Sequence, residues 1–141
     1  MVIRVFAEAA GSAMRRNDCF GRIGGDEFAI VLPLETENDA RKTAAMLHVR
    51  LSSILRDTAL PVTCSMGAII APAVKSHELT DLTKQADKLM YEVKAAGKNA
   101  VAIAIVDDQS VEDVARVLPS RPNFAESRSS MRVGVSRRDK N

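Results

Sequence analysis

Residues 24–28 read Gly-Gly-Asp-Glu-Phe, and they decide the fold because they place a sharp turn between two strand-like segments. Residues 18–23 precede the turn, and the apolar run Phe-Ala-Ile-Val-Leu at 28–32 follows it, so the pattern predicts a β-hairpin. Glycine suits this turn because it adopts φ > 0 without strain and lets a bulky anion approach the backbone. Asp26 and Glu27 supply carboxylate oxygens of the kind that Mg²⁺ prefers. The tip of the hairpin is therefore a candidate site for a metal-bound polyphosphate.

A Gly-Gly-Asp sequence by itself is most often only a turn, so the wider pattern matters. Residues 22–28 (R-I-G-G-D-E-F) resemble the signature of the GGDEF family of diguanylate cyclases. Residues 62–67 (V-T-C-S-M-G) resemble the family's V-T-x-S-x-G strand, and residues 86–99 resemble its closing helix, A-D-x-x-x-Y-x-x-K-x-x-G-[RK]-N. The three blocks occur in the family's order, and the resemblance covers residues 2–105.

Composition narrows the class of protein. At 141 residues and 46% hydrophobic, the chain supports one domain with a core. A net charge of +2, with one Tyr, four Phe and no Trp, gives no argument for a specific nucleic-acid partner. No apolar run approaches a membrane span, and the first residues do not open a signal peptide. Cys19 and Cys64 fall in predicted strands, which favours buried, reduced thiols. We expect a soluble, cytoplasmic protein.

Apolar spacing along the chain alternates between helical and strand periods. Thr36, with Asp39 three residues later, predicts a helix start, and Gly97 predicts a left-handed helix end. The predicted helices cover residues 2–16, 36–56 and 79–96, and the predicted strands beyond the hairpin cover 61–71 and 100–106. This order predicts an α/β (α+β) fold in which helices cover a mainly antiparallel sheet.

The resemblance implies an adenylyl-cyclase-like or palm-like fold that begins with a strand written F-D-x-D-x-F-K. That strand carries a metal-binding Asp, and the helix after it carries the Asn and Asp that read guanine. Neither segment has a match here, so residues 2–106 are interpreted as a partial GGDEF domain that lacks the family's first strand and helix. We expect an open seam between the hairpin and the strand at 61–71, and hence association or partial unfolding.

Residues beyond the resemblance predict two further segments. Ser110 and Asp113 could cap a short helix over 107–118, which Pro119 would end. Residues 119–141 hold six basic and two acidic residues, a net charge of +4, among Ser, Pro and Asn. The composition predicts a disordered basic tail, for which a solubilising role is favoured over weak attachment to anionic lipid or RNA.

The resemblance also implies a reaction, in bacterial second-messenger signalling. Two GTP molecules, held in two facing domains of a homodimer, form cyclic di-GMP and two pyrophosphates with Mg²⁺ or Mn²⁺. Asp26 and Glu27 correspond to the family's catalytic and metal-binding carboxylates. Because the first-strand Asp and the guanine-reading residues are missing, we expect this chain alone to be inactive.

Four further residues correspond to the family's substrate site. The backbone at Gly24 and Gly25 would lie near phosphate and ribose, and Lys94 and Lys98 would hold the triphosphate. Lys98 stands where Arg is common, so it keeps the charge and loses the bidentate fork. The alternative for both lysines is a solvated helix end favoured by the macrodipole.

Arg15 and Asp18 match the family's R-x-x-D site, at which cyclic di-GMP inhibits. The alternative is an i,i+3 surface ion pair. An additional family arginine falls near Met46, with Arg41 and Arg50 about a turn away. Two classes of function therefore stay open: a diguanylate cyclase domain, or a degenerate module that binds cyclic di-GMP or another protein.

Overall fold

The computed structural model describes residues 2–73, 76–106, 115–117 and 130–137. The helices of this part are α1 (Val2–Ser12), α2 (Glu37–Asp57) and α3 (Leu79–Ala95). The strands are β1 (Cys19–Gly24), β2 (Glu27–Leu34), β3 (Ser65–Ala71), β4 (Val101–Ile105), β5 (Ala115–Val117) and β6 (Ser130–Arg137). The element order predicted for residues 2–106 is confirmed, with α1 and β3 shorter than expected. Within the described ranges, no helix is long and apolar enough to cross a membrane.

The six strands form one sheet in the order β1-β2-β6-β3-β4-β5. Pairing is antiparallel at both ends of the sheet, between β1 and β2 and between β4 and β5. It is parallel between β2 and β6, β6 and β3, and β3 and β4. The α+β class is therefore confirmed. The sheet is mixed rather than mainly antiparallel, because β6 runs parallel to both β2 and β3 and the α3 connection makes β3 and β4 parallel.

Strand β6 fills the seam that the sequence predicted to be open. It pairs with β2 along one edge and with β3 along the other, and Ser130 is in register with both Glu27 and Ser65. The backbone groups that would have been left unpaired therefore have partners, which removes the ground for expecting an exposed seam.

The basic tail thus differs from the expectation over residues 130–137, which form a strand instead of a disordered segment. Met131, Val133 and Val135 recur at every second position, a strand period that a prediction based on charge and composition misses. Residues 115–117 are extended and not helical. The other residues of the predicted short helix and tail lie outside the described ranges.

Helices cover both faces of the sheet. The alternating burial of β2 turns Phe28, Ile30 and Leu32 toward α1 and α2, where they join the larger core cluster. Phe6 of α1 packs on Phe28 with ring centroids 5.1 Å apart. Helix α2 begins as predicted, with the Thr36 hydroxyl accepting a hydrogen bond from the backbone nitrogen of Asp39 at 3.0 Å.

Helix α3 covers the opposite face and lies very close to β3. A Cβ atom on Gly67 would collide with the Ala86 carbonyl oxygen and would lie 2.8 Å from the Met90 nitrogen. Ile69 of β3 and Ala102 of β4 pack on this side with Leu89 and Val93 of α3. Only glycine at position 67 allows this approach, which fixes where α3 and its C-terminal lysines lie.

Candidate active site

The tip of the β1–β2 hairpin is open and tightly turned. Gly24 is in register with Glu27, so Gly25 and Asp26 form the tip. Gly25 has φ = 50°, as the sequence predicts for a glycine turn. No atom lies within 4 Å of where a Cβ would stand on either glycine. The Arg22 side chain donates a hydrogen bond from Nε to the Gly25 carbonyl at 2.7 Å, which holds the turn against β1. This contact was not predicted from the sequence.

Two adjacent carboxylates stand at this tip. Asp26 and Glu27 are both half-buried, and the next residue, Phe28, anchors the strand in the core. Within the described ranges, no group of three or more His, Cys, Asp or Glu side chains could hold a metal ion. Mg²⁺ commonly takes one or two carboxylates and completes its shell with water and substrate phosphates. The donor set therefore fits a metal shared with a substrate and does not fit an all-protein cage.

The end of α3 supplies positive charge in an unusual backbone segment. Gly97 has φ = 118°, and hydrogen bonds run from Lys98 N to Val93 O at 2.9 Å and from Gly97 N to Lys94 O at 3.5 Å. This pattern is the Schellman motif, so the predicted left-handed helix end is confirmed. Lys98 and Asn99 follow with φ = 62° and 50°, which makes three consecutive left-handed residues.

The hairpin tip and this helix end lie at one edge of the sheet. Strands β2, β6, β3 and β4 run parallel, so their first residues share that edge. The tip directly precedes β2, and Lys98 lies three residues before β4. Three strand spacings separate β2 from β4, a distance of about 14 Å. Lys94 and Lys98 are half-buried, and their ammonium groups have no partner among the residues with described side chains.

Comparison with known proteins decides the family. Residues 1–100 match the family model described as diguanylate cyclase, GGDEF domain. The chain belongs to the GGDEF family. The hairpin tip at residues 24–28 is thus the turn from which the family takes its name, and it is called the GGDEF turn below.

Relatives of known name agree with this assignment. The chain is 32% identical over 107 residues to the diguanylate cyclase DgcS of Shewanella oneidensis, covering 73% of this chain and 34% of that protein. It is 34% identical over 105 residues to the response regulator PleD of Caulobacter vibrioides, covering 71% and 23%. It is 31% identical over 110 residues to the probable diguanylate cyclase DgcT of Escherichia coli, covering 72% and 24%. The chain thus spans about a quarter to a third of these relatives, and no solved structure gave a significant match.

A ring of hydrogen bonds in this GGDEF domain joins α2 and the start of β3 to Asn99, the residue that follows Lys98. His48 of α2 is 2% exposed, and its Nε2 donates to the Cys64 carbonyl at 2.9 Å. Ser52 Oγ lies 3.3 Å from the same Nε2 and donates to Asn99 Oδ1 at 3.5 Å. Asn99 N donates to Ser65 Oγ at 3.2 Å, which closes the ring through the Cys64–Ser65 peptide.

Sequence reasoning missed this ring, although one signal was available. His48 and Ser52 are four residues apart in α2, beside the buried Ala44, Leu47 and Leu51. Polar residues at that spacing on an apolar helix face indicate a buried polar contact. Burial lowers the pKa of His48, and the hydrogen bond to the Cys64 carbonyl partly opposes this shift. The ring therefore contains a neutral imidazole at neutral pH.

The two cysteines differ from each other. Cys64 is buried directly before β3, and burial raises the pKa of its thiol to about 12. Cys19 begins β1 and is exposed, so the prediction of a buried thiol was wrong at this position. The reason is that β1 is an edge strand whose residues are largely exposed.

Arg15 and Asp18 do meet, in a loop rather than as an ion pair. Asp18 Oδ2 accepts a hydrogen bond from the backbone nitrogen of Arg15 at 2.7 Å, and Asp18 N donates to Arg15 O at 3.0 Å. The Arg15 side chain is exposed, and its guanidinium has no partner among residues with described side chains. Met46 of α2 is 70% exposed. The six residues of β1, about 20 Å long, separate this loop from the GGDEF turn.

Proposed function

We propose that this chain supplies the metal and triphosphate side of a diguanylate cyclase site. The observation that carries the proposal is the open GGDEF turn, where a left-handed Gly25 exposes backbone beside the carboxylates of Asp26 and Glu27. The reaction joins two GTP molecules, each in one of two facing GGDEF domains. The 3′-hydroxyl of one attacks the α-phosphorus of the other, and pyrophosphate leaves. We place the protein in the cytoplasm, where GTP is available.

Each residue of the site has a distinct task in this proposal. Asp26 and Glu27 hold Mg²⁺ or Mn²⁺, which when bound neutralises phosphate charge and supports the leaving group. Gly24 and Gly25 let the triphosphate approach the main chain without a steric barrier. Lys94 and Lys98 attract the phosphates from the far side of the shared edge, as point charges on flexible side chains. Positioning and charge neutralisation account for most of the rate in such transfers.

Strand β6, which pairs with β2 beside Glu27, determines whether the sheet supplies a further metal ligand for catalysis. Position 130 of β6, in register with Glu27, is a serine, and Ser130–Arg137 contains no carboxylate. The strand beside the GGDEF turn therefore adds no further metal ligand of the kind that the family's F-D-x-D-x-F-K strand provides. We propose that the 141-residue chain alone binds MgGTP weakly and forms no cyclic di-GMP.

The test titrates ¹⁵N-labelled full chain with MgGTP and follows the backbone amides by NMR, which measures millimolar affinities. We expect shifts at Gly24 and Gly25 in the wild type, and weaker binding in Asp26→Ala. Asp57→Ala, which removes an exposed carboxylate at the end of α2, is the matched control and should bind like the wild type. Binding of MgGTP that is unchanged by Asp26→Ala would refute the proposed metal site.

Activity is tested on the same samples. Incubation with GTP and Mg²⁺, followed by chromatography, should yield no cyclic di-GMP. A product that disappears in Asp26→Ala would show that the chain is complete enough to react, and it would overturn the proposed inactivity while supporting the cyclase assignment.

A second candidate function is binding of cyclic di-GMP at Arg15 and Asp18. The exposed guanidinium of Arg15 favours it, because Asp18 fixes the loop through the main chain and leaves that group available. Arginine can form a bidentate contact with phosphate or a guanine edge. With methionine at position 46, we expect micromolar affinity or poorer, about −8 kcal/mol at best.

Calorimetric titration of cyclic di-GMP into the wild type, Arg15→Ala and Arg16→Ala tests this candidate. Arg16 is an exposed neighbour outside the R-x-x-D pattern and is the matched control. Binding should be lost in Arg15→Ala and kept in Arg16→Ala. If Arg15→Ala and Arg16→Ala weaken binding equally, cyclic di-GMP is attracted only by nonspecific positive charge and the proposed site is refuted. Tighter binding of GTP than of cyclic di-GMP would also contradict this candidate function.

A further inference from the structure

The left-handed segment after α3 needs support from its surroundings. Left-handed backbone is unfavourable for a residue with a Cβ atom, and Asn tolerates it better than Lys does. Lys98 nevertheless has φ = 62°, between Gly97 at 118° and Asn99 at 50°. Such outliers persist when neighbouring contacts fix them, and they occur often at functional sites. The contacts that fix this segment therefore bear on what Lys98 does.

Asn99 is the point at which the rest of the protein holds this segment. Its backbone nitrogen donates to Ser65 Oγ, and its side-chain Oδ1 accepts from Ser52 Oγ. Ser52 in turn lies within 3.3 Å of the His48 ring, which is fixed by the Cys64 carbonyl. On the other side, the helix end holds Lys98 through its hydrogen bond to Val93 O. Lys98 is thus fixed from α3 before it and from the ring after it.

We infer that His48 and Ser52 are positioning residues for phosphate binding. Ser52 holds Asn99, His48 lies against Ser52, and Asn99 in turn keeps Lys98 at the edge shared with the GGDEF turn. The inference rests on the proposed function, since it assigns the phosphate group of GTP to Lys98. A lysine on a fixed backbone loses less conformational freedom when it binds an anion than one on a mobile loop. The two residues touch no substrate themselves and act through the main chain at positions 98 and 99.

The experiment uses the full chain and two probes, MgGTP and inorganic tripolyphosphate, in NMR titrations of ¹⁵N-labelled protein. Ser52→Ala removes the donor to Asn99, and we expect about fivefold weaker binding of both probes, as for the loss of one hydrogen bond. Ser53→Ala is the matched control, because Ser53 is the adjacent serine, is also half-buried, and has no partner among residues with described side chains. Ser52→Thr keeps the hydroxyl and should restore binding.

A double-mutant cycle separates positioning from general stability. If Ser52 acts through Lys98, then Ser52→Ala has no further effect on binding once Lys98→Ala is present. An equal loss in both backgrounds would overturn the inference. Amide hydrogen exchange at Asn99 provides a second readout, and it should be faster in Ser52→Ala and unchanged in Ser53→Ala. Asn99→Gly keeps the preference for left-handed backbone and removes the acceptor of the Ser52 hydrogen bond. It should weaken probe binding as much as Ser52→Ala does, and it replaces Ser52→Ala in the experiment if Ser52→Ala folds poorly.

The outcomes distinguish this inference from the proposed function. A wild-type chain that binds neither probe would overturn both. Binding that is weakened by Asp26→Ala and Lys98→Ala but not by Ser52→Ala would leave the proposed function standing and overturn the inference alone.

Discussion

Replacement of Gly67 by alanine should be among the most destabilising single-methyl additions in this chain. The new Cβ would lie 2.8 Å from the Met90 nitrogen and 3.0 Å from Leu89 Cβ, and closer still to the Ala86 carbonyl oxygen. Ordinary contacts begin near 3.4 Å, so the Met90 nitrogen alone must recede by about 0.6 Å (3.4 − 2.8). All three neighbours belong to α3, which cannot yield at one atom without moving as a unit.

Overpacking of a core costs about 1–3 kcal/mol, and we expect the upper end of this range because two of the three contacts are with helix backbone. Urea denaturation of Gly67→Ala should show a lower midpoint at an unchanged m-value. Gly21→Ala in β1 is the control, since nothing lies within 4 Å of its added Cβ, and its stability should stay within about 0.5 kcal/mol of the wild type. Equal stability of Gly67→Ala and Gly21→Ala would refute the close approach of α3 to β3.

Three other predictions concern the sheet, the thiols and the buried histidine. A chain that ends before Ser130 should associate or lose cooperative unfolding, because β2 and β3 lose their shared partner; a sharp monomer in sedimentation with an unchanged thermal transition would contradict this. Cys19 should react with a disulfide reagent in the native state and Cys64 only after unfolding, so two fast thiols would be the contrary result. Since burial lowers the pKa of His48, its neutral form stabilises the fold above pH 6.5, and the free energy of unfolding should fall below that pH by at most about 1.4 kcal/mol per unit. His48→Asn should not show this fall in the free energy of unfolding below pH 6.5. A wild-type stability that does not change with pH in this range would contradict the prediction.

Elements with a strong local signal could be predicted from the sequence. The hairpin followed from two glycines between apolar runs, and the end of α3 followed from Gly97. The start of α2 followed from Thr36 with Asp39 three residues later. In each case the determining contact lies within a few residues of chain, so the sequence pattern contains the physical cause.

Features set by distant contacts could not be predicted in this way. The strand at 130–137 was missed because its partners lie in β2 and β3, and charge dominated the composition of that segment. The exposure of Cys19 depends on β1 being an edge strand, which is a property of the sheet order. Likewise, the pairing of Ser52 with Asn99 joins residues 47 positions apart, and no local pattern in the sequence specifies it.

The position of β6 in the sheet has a consequence for the order of folding. Its first residue pairs with Glu27 across 103 positions of chain (130 − 27), whereas Gly24 and Glu27 pair across three. Closing the longer loop costs roughly 4 kcal/mol of chain entropy, and slow folding accompanies such distant pairings. On the ribosome, the hairpin, α2 and β3 emerge well before their central partner is synthesised. The newly made chain therefore passes through a stage in which β2 and β3 are both synthesised but their shared partner β6 is not, and chaperones have most reason to bind the chain at that stage.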